Sequence, residues 1–147
     1  MRGARFRVSP GFLVLGALML FLDREGAAPA VLAAWILHEC GHLLLLYGVG
    51  GRVGRVELTL NGVRIEAEKG RGLSYGGELF SVLAGPGVNL ALAVGCARLG
   101  ERWYLFAGTN LALGLFNLLP LPGLDGGRTL TLLKLLLLEE EKKREKE

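Results

Sequence analysis

The sequence predicts an all-α polytopic membrane protein of about four transmembrane helices, the last broken by a Pro/Gly motif, with a small β-hairpin on the cytoplasmic side. Three observations predict it. Of 147 residues, 51% are hydrophobic, and a mean hydropathy of +0.41 is high for a water-soluble domain. The apolar residues are gathered into long runs separated by short connections. One connection, Gly50 to Gly77, is glycine-rich and basic, and it carries alternating apolar and polar residues around Asn61-Gly62. The whole chain reads as a single membrane-embedded unit, residues 1–147.

The first element is an N-terminal anchor helix within residues 1–26. Arg2, Arg5 and Arg7 precede an apolar run from Val8 to Leu22. A basic start and a short apolar core also describe a secretory signal peptide, with small residues at Gly26-Ala27-Ala28. Asp23-Arg24-Glu25 would fall inside the cleavage region, and this favours an uncleaved anchor. The core follows at residues 27–138. Its first helix, about Pro29 to Val49, has the length needed to cross a bilayer at about 1.5 Å per residue.

The connection after it predicts a hairpin at about residues 53–68. Val56–Leu60 and Val63–Ala67 each alternate apolar with polar, and Asn61-Gly62 between them is a favoured two-residue turn. Its apolar underside suits a bilayer surface, and its open edge suits pairing with an extended peptide. A third apolar segment, Leu79 to Leu99, contains Ala84-Gly85-Pro86-Gly87-Val88-Asn89, which predicts a kinked or closely packed helix. A buried Asn89 there seeks a partner on a neighbouring helix, as a packing contact or as a polar contact near a site.

The fourth segment runs from Trp103 to Leu119 and opens on an interfacial aromatic pair, Trp103-Tyr104. It ends in Asn117-Leu118-Leu119-Pro120-Leu121-Pro122-Gly123-Leu124-Asp125-Gly126-Gly127. Prolines 120 and 122 cannot continue a regular helix. Irregular backbone at membrane depth is tolerated only against protein or a wet cavity, into which Asp125 is then presented. Helix resumes over 129–138, and residues 139–147 form a charged, solvated tail.

The chemistry centres on His38-Glu39-Cys40-Gly41-His42, which holds both histidines of the chain. Residues four apart on a helix are rotated by about 40° and separated by about 6 Å, so both imidazoles project from one face and can share a metal ion. Glu39 beside them could take a proton from a metal-bound water, which is the mechanical content of an H-E-x-x-H motif. Two buried histidines bonded to backbone carbonyls are the structural alternative. The motif lies about 9–15 Å inside the helix end. Ionisable groups at that depth mark a functional site, because an unpartnered charge there costs at least a few kcal/mol.

Lys and Arg number three before the first segment, one after it, five in the hairpin connection and two before the fourth segment. This alternation predicts cytoplasmic N- and C-termini. His42 and Asp125 then fall in the same half of the membrane, so one metal could join them across helices. The basic residues form no stripe with interleaved aromatics, which argues against a nucleic-acid partner. Cys40 and Cys96 lie in apolar segments without metal-type spacing and read as small packing residues.

His38-Glu39-x-x-His42, Ala84-Gly85-Pro86-Gly87-Val88-Asn89 and Asn117-x-x-Pro120-x-Pro122-x-Leu124-Asp125-Gly126-Gly127 together resemble the site-2 protease family of intramembrane zinc metalloproteases. The resemblance covers about residues 27–138. Small size and the Phe116-Asn117-Leu118-Leu119-Pro120 context are most similar to the branch that includes the sporulation protease acting on a sigma-factor precursor. It implies zinc held by His38, His42 and Asp125, Glu39 as general base, and Asn117 as a residue that positions substrate or steadies the oxyanion. Where that family's motif often begins Asn-Pro, this chain has Leu119-Pro120.

The implied function is zinc-dependent endoproteolysis of transmembrane or membrane-associated substrates near the cytoplasmic side of a bacterial cytoplasmic membrane. The bilayer and a membrane-protein substrate are the implied partners. A regulatory membrane protein and the oligomeric state stay open. The alternative is a catalytically silent scaffold of the same fold that sequesters partners. A metal transporter would want ionisable residues along successive helices, and the third and fourth apolar spans carry no acidic residue.

Overall fold

A computed structural model of the chain describes residues 5–51, 53–59, 62–67 and 73–145. The elements run β1 (Arg5–Val8), α1 (Pro10–Leu22), α2 (Ala28–Gly48), β2 (Val53–Thr59), β3 (Gly62–Ala67), α3 (Tyr75–Ala97), a 3₁₀ turn (Glu101–Trp103), α4 (Tyr104–Asn117) and α5 (Asp125–Arg144). The four apolar runs are thus helical, and the last breaks after Asn117 and resumes at Asp125.

The first three helix starts have a local cause. Ser9 caps α1 by accepting from Phe12 N at 3.2 Å, with Pro10 supplying the first helical residue. Asp23 accepts from the first N–H groups of α2, Ala27 and Ala28, at 2.9 Å each. The Ala28 bond is the leading cause that holds the Asp23 carboxyl below its ordinary value. Ser74 caps α3 through Gly77 N at 3.1 Å, so this helix begins four residues before the apolar run at Leu79.

α3 is the central element, packed against α2, α4 and α5, while α2 also touches α4. Its residues explain that position. Small side chains and glycines at the crossings let backbones approach. A Cβ on Gly41 would lie 2.8 Å from Ala84 O, and one on Gly114 would lie 3.1 Å from Asn89 Cβ. Buried Ala34, Ala93, Cys96 and Ala107 belong to the same contacts. Arg128 on α5 also donates to Glu78 on α3, an exposed pair worth at most about 1 kcal/mol.

α2 and α3, with 21 and 23 residues, are long and apolar enough to cross a membrane. Only 22% and 39% of their most apolar windows are buried within the chain, the opposite of core helices in a water-soluble protein. Leu44, Phe80 and Phe21 are among the exposed side chains. The chain is an integral membrane protein. α4, with 14 residues, rises about 21 Å, short of the roughly 30 Å hydrocarbon core, and ends where the chain unwinds.

The connection between α2 and α3 joins the N-terminal β1 in a sheet of order β1-β2-β3, with β1 parallel and β3 antiparallel to β2. The sequence reading differs here in two ways. Arg5–Val8 was assigned to the start of the anchor, yet it pairs with Arg55–Leu58 as a third strand. Gly62 was placed in the turn, yet it is in β3 opposite Thr59, one residue earlier than expected. Asn61 lies outside the described residues. The register sets Glu57 opposite Arg64 and Arg55 opposite Glu66, whereas a turn centred on 61–62 would have set Glu57 opposite Glu66, a like-charge pairing that is disfavoured.

Candidate metal centre

The centre forms where α2 crosses α3 and the first turn of α5 meets them. His38 and His42 project from one face of α2, four residues apart. Facing them on α3, Ser81, Gly85 and Asn89 recur at the same four-residue spacing. His42 Nδ1 donates to Ser81 O at 2.8 Å, and Ser81 Oγ donates back to His42 O at 3.2 Å. His38 Nδ1 lies 2.5 Å from Asn89 Oδ1. The second nitrogen of each ring is therefore turned inward.

Asp125 comes to the same point from the far side of the chain break. Leu124 N bonds Leu121 O at 3.2 Å and Arg128 N bonds Leu124 O at 3.1 Å, so helix restarts at Asp125. Gly126 and Gly127 let the unwound 118–122 segment lie directly over that first turn, since a Cβ on either would collide with the carbonyls of Leu118 or Leu121. This accounts for the Asp-Gly-Gly order: the carboxylate is delivered by a turn with no room for side chains behind it.

Three atoms converge. His38 Nε2 is 3.1 Å from His42 Nε2 and 3.0 Å from Asp125 Oδ2, and His42 Nε2 is 3.3 Å from the same oxygen. Asp125 Oδ2 is buried and makes no hydrogen bond of good geometry. Ligands bound tetrahedrally at about 2.0–2.1 Å stand about 3.3 Å apart, so this triangle fits one face of a zinc coordination sphere. The space itself is kept by Gly85. A Cβ there would lie 2.8 Å from His38 Nε2 and closer still to His42 Nε2. Two imidazoles and a carboxylate are the three-ligand donor set of catalytic zinc, whose fourth position water takes.

Glu39 follows His38 on α2 and is half-buried. Asn117 lies on the last turn of α4, and its Nδ2 donates to Leu113 O at 3.0 Å within its own helix.

Sequence reasoning did not assign Ser81 or Asn110 any part, and it treated Gly85 and Asn89 chiefly as packing residues. Asn89 in fact bonds His38, and through Asn110 it connects α4 to the centre. The matched spacing 34-38-42 on α2 and 81-85-89 on α3 is the signal that could have found them.

The C-terminal part of the chain, residues 96–146, matches the model of peptidase family M50. The chain is 32% identical to sll0528 of Synechocystis sp., a protein that carries a zinc-metalloprotease name, over 87% of this chain and 41% of that protein. It is 30% identical to stage IV sporulation protein FB of Bacillus subtilis, over 88% of this chain and 47% of that protein. The chain thus spans less than half the length of these curated relatives. Among solved structures it resembles the site-2 protease of Methanocaldococcus jannaschii, with a TM-score of 0.68 at 22% identity, over 88% of this chain and 67% of that one. At that identity the likeness shows the fold.

Proposed function

We propose that this chain is an intramembrane zinc endopeptidase of the site-2 protease type: its C-terminal part matches peptidase family M50, and a curated relative carries a zinc-metalloprotease name. Its substrates are transmembrane or membrane-associated proteins, cut near the cytoplasmic side of a bacterial cytoplasmic membrane. The observation that carries this reading is the convergence of His38 Nε2, His42 Nε2 and Asp125 Oδ2 within 3.0–3.3 Å of one another.

These three residues hold the metal. Bound zinc supplies acidity to a water molecule, bringing its pKa toward about 7, and polarises the scissile carbonyl. Glu39 accepts the proton released by the attacking water and returns it to the leaving amine nitrogen. Asn117 holds the substrate backbone or its developing oxyanion. Gly85 lets the two imidazoles lie directly against α3, where a side chain would collide with them.

The substrate must present extended backbone, since a transmembrane helix hides its amides. β2 is flanked by β1 and β3, so the hairpin edge offered for pairing is β3, which among the described residues pairs only with β2. A helix-breaking stretch of substrate would add to that edge. We read four spans, α1, α2, α3 and the broken α4–α5 unit, with both termini and the hairpin cytoplasmic.

The test is cleavage of a panel of single-span membrane peptides containing Pro or Gly, in detergent, read by mass spectrometry. Chelation by 1,10-phenanthroline is expected to abolish cleavage, and added zinc to restore it. Zinc binding without cleavage of any peptide or native membrane extract would favour the silent scaffold.

A further inference from the structure

Asn89 on α3 and Asn110 on α4 are both 0% exposed. Buried amides must be matched atom by atom, because an unpaired polar atom in such a place bears the full cost of its lost hydration. The hydrogen bonds here form a directed chain whose two ends are backbone carbonyls, which can only accept. Asn110 Nδ2 donates to Phe106 O at 2.8 Å, and Asn89 Nδ2 donates to Ala34 O at 3.2 Å. With its nitrogen committed to Phe106, Asn110 turns its oxygen toward Asn89, whose Nδ2 meets it at 2.8 Å.

Asn89 Oδ1 is thereby left facing His38 Nδ1. That ring nitrogen must carry the proton, and an imidazole protonated at Nδ1 presents its lone pair at Nε2. Nε2 is the atom that faces His42 and Asp125. The two histidines are set differently: His42 takes its tautomer from Ser81 O directly, whereas His38 takes its tautomer through two side chains from α4. Gly114 allows this, since it brings the α4 backbone against Asn89.

Resting on the zinc reading of this centre, we propose that Asn89 and Asn110 are positioning residues that fix the His38 tautomer, making α4 part of the metal centre although it contributes no ligand. Loss of outer partners of this kind typically weakens metal binding about 10–100-fold. Asn89→Leu removes the partner itself, and Asn110→Leu removes only what orients it.

The experiment combines zinc titration against a competing chelator with ¹⁵N spectra of histidine-labelled, metal-free protein at a pH where both rings are neutral. The two histidines of the chain make assignment direct. Expected are Nδ1–H tautomers for both rings in the native protein. Asn89→Leu should disturb His38 but not His42 and weaken zinc about 10–100-fold. Asn110→Leu should have a smaller effect of the same sign, and Thr109→Val, whose hydroxyl bonds Leu105 O within α4, none. A native His38 in the Nε2–H form overturns the proposal even if the variants do not fold, and so do folded variants with native zinc affinity. A native protein that binds no zinc sinks the zinc reading instead, while its ring spectrum still decides whether the amide chain sets the tautomer.

Discussion

Glu39→Gln is expected to lower peptide cleavage by at least about a hundredfold while bound zinc stays at the native level. Glutamine keeps the size and most of the hydrogen bonding of the side chain but cannot accept a proton at neutral pH. General acid–base catalysis contributes about 10²–10⁴-fold, so the loss should fall on turnover. Glu39 follows His38 on α2 and lies outside the converging triangle of His38, His42 and Asp125. Metal content should therefore be indifferent to the change. Parallel measurement of peptide cleavage and zinc per chain checks both halves. Retained cleavage would remove Glu39 from the proton-transfer role, and lost zinc would place it among the ligands.

Gly85→Ala should be nearly as severe, by a different route. The added methyl would enter the space between the two imidazoles, 2.8 Å from His38 Nε2 and nearer to His42 Nε2. Neither ring can swing away cheaply, since Ser81 and Asn89 hold their outer nitrogens. Overpacking of this kind costs about 1–3 kcal/mol when the surroundings yield. Here relief requires separating α2 from α3 or displacing a ligand. The expected outcome is a loss of zinc affinity exceeding about tenfold, equivalent to about 1.4 kcal/mol, together with loss of cleavage. Gly87→Ala, two residues on and meeting nothing within 4 Å, should behave as the native protein. The contrast separates a site effect from a general helix effect, and equal zinc affinity in the two variants would contradict it.

What could be read from the sequence was what is locally encoded. Four-residue spacing places His38 and His42 on one face of a helix whatever surrounds them, and two prolines within three residues, Pro120 and Pro122, unwind the chain where the single Pro86 is carried inside α3. The positions of these elements therefore follow from residue order alone. The hydrogen bonds of Asn89 were not legible, because they depend on which face of α3 meets α2 and α4, and three helices must be placed before that question has an answer. Ser81 acts largely through its backbone oxygen, for which residue identity carries no signal.

The sheet was half legible. Val56–Ala67 alternates, and its pairing is local. The strand at Arg5–Val8 also alternates in Arg-Phe-Arg-Val, but four residues abutting an apolar run read as the start of a membrane anchor. Its pairing with Arg55–Leu58 spans the whole of α1 and α2. Asn61-Gly62 is a favoured turn dipeptide, but the charges at 55, 57, 64 and 66 favour the observed register.

The most direct measurement is zinc per chain in detergent-purified protein, comparing the native sequence with Asp125→Ala after identical stripping and resupply. The two histidines are neighbours on one helix and would bind some metal in almost any arrangement. Asp125 is brought to them only by the break between α4 and α5, so it tests the fold and the chemistry together. About one zinc per native chain, with marked loss in the variant, is the predicted result. Equal zinc in both proteins would contradict a three-ligand centre, and zinc in neither would contradict the metalloprotease reading itself.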